Sequence, residues 1–262
     1  MGDPESTGTP RPDRAAAAPS RVLSTLLPTL CLWLVGPAFA AAGADSPTVQ
    51  KVSEGVVDWG AGVIRVQGTG RPRELSPSAY LIEGDLVRKA EESAAAKLLL
   101  VARALPHNGN TLVGETVDAN PAAAKRLAEA CLGFKSARRV TVTDGTIILD
   151  AELPLVAVIA ALTGTRAKPG PAPVLVLDAR GLKLAGALMP VIHGLAGGPW
   201  EPQLIEPPRH ITGAAPEGSV VLRVSAARGK LRADAEVPAG PDVLPREAMV
   251  RLVILTDPGG RK

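Results

Sequence analysis

Aromatic side chains are scarce in this sequence: three Trp, one Tyr and two Phe among 262 residues. Stacking bases on aromatic rings is therefore not available as a general device, which excludes a single-stranded nucleic-acid platform. Trp33 and Phe39 fall in an apolar N-terminal segment, leaving Trp59, Tyr80, Phe134 and Trp200 for the folded part. Charge of one sign is also lacking, because 29 Lys+Arg against 26 Asp+Glu leave a net charge of +3. The basic excess is small and interspersed with acids, so the pI near 9.0 describes a mixed solvated surface and no nucleic-acid footprint. With 46% hydrophobic residues the chain can build a core, which excludes wholesale disorder. That core must consist of Val, Leu, Ile and Ala.

The usual catalytic kits are absent as well. His107, His193 and His210 are far apart and lack HExxH, HxH or a cysteine partner. A zinc site needs three or four converging ligands, so these read as lone surface or loop histidines. No Gly-x-Ser-x-Gly is present to hold a serine nucleophile. Gly68-Thr69-Gly70 is followed by Arg71-Pro72 and not by Gly-Lys-Ser, so it is no phosphate loop; it is expected to let a strand turn into a helix. Asp178-Ala179-Arg180-Gly181 lacks the Asp-Thr/Ser-Gly that an aspartic protease requires. Arg180 is expected to pair with Asp178 or to cap a turn. No catalytic, cofactor-binding or metal-binding residue is assigned, and no small-molecule substrate is expected. The alternative from another class is a secreted hydrolase with a site around His193, Asp178 and Arg180 in the second half. A small-ligand module in the Gly-rich second half is a weaker option.

What is present begins with a leader. Residues 1–21 are rich in Pro, Ala and Arg, and from Val22 to Ala44 there is no charge. Small residues at Ala38 and Ala40 fit the signal-peptidase rule, which places cleavage between Ala40 and Ala41. The competing reading is an uncleaved anchor, since the uncharged run is long enough to span a bilayer. Pro28, Gly36 and Pro37 interrupt that run and favour a cleaved signal over residues 1–40. Leu30 before Cys31 spoils a lipobox. After cleavage Cys131 alone survives, so no intramolecular disulfide can form and the fold must stand on its apolar core. With no base close to it in sequence, Cys131 reads as a buried small hydrophobe.

The exported part divides by composition. Residues 41–55 are small and polar and read as a tether. Val63 to Gln67 reads as a strand. Ser76 can cap and Pro77 suits a first helical position; Ala79, Ile82, Leu86, Ala90, Ala94, Leu98, Ala102 and Leu105 then form one stripe. From Pro77 to Leu105 such a helix is about 40 Å long. Half of its stripe is alanine, which lets it lie close against a flat partner such as a sheet. Asn120, Pro121 and Gly133 punctuate a second helix. Arg139 to Thr143, Asp144-Gly145 and Thr146 to Leu153 predict a hairpin with a two-residue turn. Leu155 to Leu162 is a short apolar stretch that closes an α+β domain over 56–162. Pro and Gly mark a linker over 163–173. A second module over 174–257 carries strand signals at Val174–Leu177, Val220–Val224, Leu231–Val237 and Val250–Leu255, before a tail over 258–262. The expected fold is α+β: a long helix packed on an antiparallel sheet, then a smaller β-rich module.

This order of elements is familiar. A Trp-Gly strand ending in Gly-x-Gly is followed by an Ala-rich helix opening on Pro, Val113-Gly114-Glu115, a short helix and an Asp-Gly hairpin. Val174 to Leu182 and Ala187 to Ile192 add a "strand-DARGL … APxI" run, and Arg251 to Asp257 a closing strand. The chain resembles the Lpp-twenty-type lipoproteins and the N-terminal domain of flagellar assembly protein T, envelope proteins of Gram-negative bacteria. The resemblance implies a non-catalytic envelope or appendage-associated scaffold. Departures are the poor lipobox and a Gly-rich passage, Gly194 to Pro199, without the usual charged turn and Tyr-Gly. The expectation is a periplasmic or envelope-associated protein that binds a protein partner, with room for weak membrane association and no part for nucleic acid.

Overall fold

In the computed structural model of the chain, the described residues are 48–72, 79–165, 171–240 and 244–258. The expected cleavage residues Ala38, Ala40 and Ala41, together with Cys31, Ser76 and Pro77, lie outside them. The fold mixes α and β, with four helices and an antiparallel sheet among the described residues.

The first half holds β1 (Val49–Val52), β2 (Gly55–Asp58), β3 (Val63–Gly70), α1 (Ala79–Ala104), α2 (Val113–Asp118), α3 (Pro121–Leu132), β4 (Lys135–Thr141), β5 (Ile147–Pro154) and α4 (Leu155–Thr163). The five strands form one antiparallel sheet in the order β1-β2-β3-β5-β4. Composition groups residues 41–55 as a tether, yet Val49–Val52 pairs with Gly55–Asp58 and extends the sheet. Alternation along β3 and β5 separates two faces: Ile64, Val66, Leu149, Ala151 and Leu153 are buried. Leu86, Ala90, Ala94, Leu98 and Ala102 of α1 are buried in the same core. The helix lies on β3 closely enough that a Cβ at Gly68 would overlap the Ala90 carbonyl oxygen and come within 2.7 Å of Ala94 Cβ. At Gly70 it would overlap the Leu86 carbonyl oxygen. The two glycines thus sit inside β3 and admit the helix backbone. This corrects the expectation that Gly68-Thr69-Gly70 turns the strand into the helix.

Local chemistry accounts for the shorter elements. Asn120 Oδ1 accepts from Ala123 N at 3.1 Å, with Pro121 opening α3 as the punctuation predicts. Glu115 reaches back to Leu112 N at 2.9 Å and starts α2. The apolar stretch after Pro154 is α4, closed by Gly164 at φ 74°. The hairpin departs from the two-residue turn. Gly145 N donates to Val142 O at 2.9 Å, and only Gly145 has positive φ, 79°. Asp144 Oδ1 takes Thr146 N at 2.8 Å. That is a turn over Val142–Gly145 with the glycine in a bulge position, so Asp144 never has to enter the left-handed region.

The second half holds β6 (Val174–Asp178), β7 (Ile192–Leu195), β8 (Gln203–Leu204), β9 (Arg209–Thr212), β10 (Val220–Arg223), β11 (Ala226–Arg228), β12 (Asp234–Gly240) and β13 (Met249–Thr256). Here β6 lies between β10 and β13, and β13 also takes β8 and β9, all in parallel. A second sheet runs β11-β12-β7. Leu175, Leu177, Leu252 and Ile254 bury one face of β6 and β13 with Ile192, Val237 and Trp200. Val176, Val253 and Leu255 bury the other. Being covered on both faces is what a continuous Val/Leu run in a parallel strand signals. Strands β7, β8, β9 and β11 have two to four residues each, too few to show a period.

The two halves meet along a seam. Asp234, 1% exposed, accepts Gly109 N at 2.7 Å and Val191 N at 2.8 Å through Oδ1. Leu188 N donates to Pro106 O and Met189 N to His107 O, so the loop after α1 is held by the second half. Further along, Trp59 is 2% exposed beneath Gly186 and beside His210, with ring centroids 5.6 Å apart.

Candidate functional site

Strand β4 is the most open element of the first half. It ends the sheet order, and Lys135 to Arg139 and Thr141 are all exposed. In its sequence, Lys-Ser-Ala-Arg-Arg-Val-Thr, only Val140 is half-buried, and it pairs with Ile148 on the face of the sheet away from α1. The register pairs Arg138 with Asp150, Arg139 with Leu149, Val140 with Ile148 and Thr141 with Ile147. Val142 N donates to Thr146 O at 2.8 Å, which makes that pair a hydrogen-bonded one. Antiparallel pairs alternate, so Val140–Ile148 and Arg138–Asp150 are bonded across the ladder, while the N–H and C=O of Arg139 and Thr141 point away from β5. A register irregularity between Ser136 and Arg138 ends the regular stretch.

The charges around this edge are unevenly matched. The acids facing β4 from β5 are already engaged by β3: Arg65 Nε donates to Glu152 at 2.9 Å, and Gln67 Nε2 donates to Asp150 at 2.9 Å. Arg65 also holds Asp58 at 3.0 Å. Lys135, Arg138 and Arg139 make no ion pair among the described residues. Three cations therefore stand on one exposed strand whose outer backbone groups have no strand beside them among the described residues.

His107 lies in a loop as expected, whereas His193 and His210 lie in strands. His193 lies in β7 with Nε2 3.8 Å from Asp234 Oδ2, and Asp234 is the carboxylate that clasps the seam. Asp178 is bound by Arg180 at 2.8 and 2.6 Å, which holds its carboxyl below the usual carboxylate range; this is the pairing expected of the Asp-Ala-Arg-Gly run. Thus Asp178 and Arg180 are brought together, and His193 sits beside a different acid. His210 is a correction: read as a surface or loop residue, it is 2% exposed, and burial lowers its pKa to about 4. It lies under Trp59 because β9 packs on the β2–β3 turn, with His210 N donating to Trp59 O at 3.4 Å. His107 is half-buried and its pKa is likewise lowered by burial. Cys131 is buried as expected, and burial raises its pKa to about 12. No group of three or more His, Cys, Asp or Glu is placed to hold a metal ion among the described residues.

Among the described residues, the clefts open to solvent include two. One, of about 380 Å³, lies at the seam between Gly62, Val63, Pro154 and Val156 on one side and Arg209 and Arg251 on the other. Glu206 stands 4.0 Å from Arg209 and 3.9 Å from Arg251. The other, of about 560 Å³, runs between α3 and α4. The residue that sequence reading missed is Asp234, whose role depends on backbone amides 125 and 43 positions away.

These features define a mixed α and β protein in which one buried carboxylate, Asp234, ties the loop after α1 to the second half. No family model matches the chain, and no curated protein matches it in sequence. No described helix is long and apolar enough to cross a membrane.

Proposed function

We propose that the protein is a non-catalytic scaffold or accessory protein of the Gram-negative cell envelope, exported to the periplasm by residues 1–40 and acting by binding a protein partner. In this reading a long helix laid on the antiparallel sheet makes the first module, 174–257 makes the smaller β-rich one, and the likeness to Lpp-twenty-type lipoproteins and to the N-terminal domain of flagellar assembly protein T reflects a shared kind of role. The observation that carries the reading is the open β4 edge, with three cations that no described carboxylate engages. An edge with open backbone groups is a surface to which the strand of another chain can add. The uncharged apolar run of the leader and its Ala-x-Ala exit support export.

The test is expression of the full-length chain with a C-terminal tag, fractionation, N-terminal sequencing and in-cell crosslinking. The expected result is a mature form beginning near Ala41 in the periplasmic or envelope fraction, crosslinked to a discrete protein. Intact precursor in the cytosol, or an exported form that crosslinks to nothing, overturns the reading.

A further inference from the structure

Resting on the reading that this chain binds a protein, the geometry points to β4 as the docking site, and we propose that the occupant is an extended, acidic segment of the partner that adds to the sheet as a sixth strand. Strand addition needs an edge whose backbone groups are open and alternately spaced. Arg139 and Thr141 meet that need, since their N–H and C=O groups face away from β5 in the observed register. The two residues present two donors and two acceptors over the length of a three-residue segment.

Charge selects the occupant. Lys135, Arg138 and Arg139 lie on this edge; of the acids that face it from β5, Glu152 is held by Arg65, while Asp150 accepts from the neutral Gln67 amide and keeps its charge across from Arg138. A neutral or basic segment would bring no charge to Lys135 and Arg139, whereas an acidic one brings opposite charges directly across, the favourable cross-strand arrangement. The same charges exclude a second copy of this chain, because two β4 edges laid side by side would set like charges opposite each other. The irregularity between Ser136 and Arg138 limits the regular edge to Arg138–Thr141, so the segment is short.

The probe is a fluorescein-labelled eight-residue peptide alternating Glu and Val, titrated with the mature protein at low salt and followed by anisotropy. Saturable binding is expected, weakening steeply with added salt. Three comparisons decide the mode. K135E/R138E/R139E should lose tenfold or more in affinity. Thr141→Pro removes an outward N–H without touching the ladder to β5, and should lose binding while keeping the parent's far-ultraviolet dichroism and melting temperature. A peptide N-methylated at alternate residues should bind tenfold or more weaker than its parent. Equal binding of the N-methylated peptide, or of Thr141→Pro, overturns strand addition and leaves only charge attraction. Absence of binding up to 1 mM, about the weak limit of useful recognition, overturns the β4 proposal. In that event a discrete crosslinked envelope partner would still uphold the broader reading, so the two fail separately.

Discussion

Acid should loosen the seam between the halves, and His210 is the group through which it does so. The ring is 2% exposed against Trp59, and its Nε2 has no hydrogen-bond partner among the described residues. Burial lowers its pKa from 6.5 to about 4, so the folded chain keeps the imidazole neutral where the unfolded chain would protonate it. Between those two values the unfolded chain binds the extra proton, so stability is full above about pH 6.5 and falls as the pH approaches 4. The loss reaches about 3 kcal/mol at its limit, at roughly 1.4 kcal/mol for each unit of displacement. For a chain of this size, that corresponds to a melting temperature lower by roughly 5–10 °C. His107, also lowered by burial, adds a contribution of the same sign. Asp178 and Glu236 are held below the usual carboxylate range by Arg180 and Arg228, so they lose stabilisation only at still lower pH. The assay is urea unfolding of the mature protein at half-unit steps from pH 7.5 to 4.5, beside His210→Phe, which keeps a ring against Trp59 and cannot charge. The parent midpoint should fall with pH, and most of that slope should be gone in the variant. A parent midpoint that stays constant, or a variant that slopes as steeply, refutes the assignment of a buried neutral imidazole.

Three further outcomes follow from the packing. Gly68→Ala should push α1 off β3 and cost about 1–3 kcal/mol or more, read as a lower urea midpoint, while Gly84→Ala, where the added Cβ meets nothing within 4 Å, should stabilise by up to about 1 kcal/mol. Asp234→Ala should orphan the amides of Gly109 and Val191 and cost about 2–4 kcal/mol, with Asp234→Asn costing less because an oxygen remains to accept; hydrogen exchange at the two amides reads the difference. Cys131, with its pKa raised to about 12 by burial, should resist Ellman's reagent at pH 8 in the folded protein and react at once in urea; fast labelling of the folded form would place the thiol at the surface.

The first half was legible where local chemistry decides structure. The α1 stripe from Leu86 to Ala102 is buried at the positions its spacing predicts, and Asn120-Pro121 starts α3 through the expected cap. The second half was legible at β6, β10 and β13, where Val, Leu and Ile dominate, and at β12 around Ala235 to Val237. Its short strands β7, β8 and β9 are specified by neighbours distant in sequence, β11 pairs with the next strand, and no period can accumulate over so few residues. Gly68 and Gly70 show how one residue type misleads: a glycine that admits a helix backbone reads the same as a glycine that turns the chain, until the helix is in place.

The same limit applies to the basic edge. Lys135, Arg138 and Arg139 could be read from sequence as three more solvated charges, and Asp150 and Glu152 in the facing strand would have seemed their natural partners across the hairpin. What overturns that pairing is β3, which lies on the far side of β5 and brings Gln67 to Asp150 and Arg65 to Glu152 from 83 and 87 positions away. The neutral Gln67 leaves Asp150 its charge across from Arg138, and Arg139 lies across from Leu149 on the other face, so the competition falls between Arg65 and Lys135 for Glu152. An exchange that releases Glu152, such as Arg65→Met, should let Lys135 approach that carboxylate across its own pair, lower the positive potential of the edge and weaken binding of an acidic peptide without altering any residue of β4.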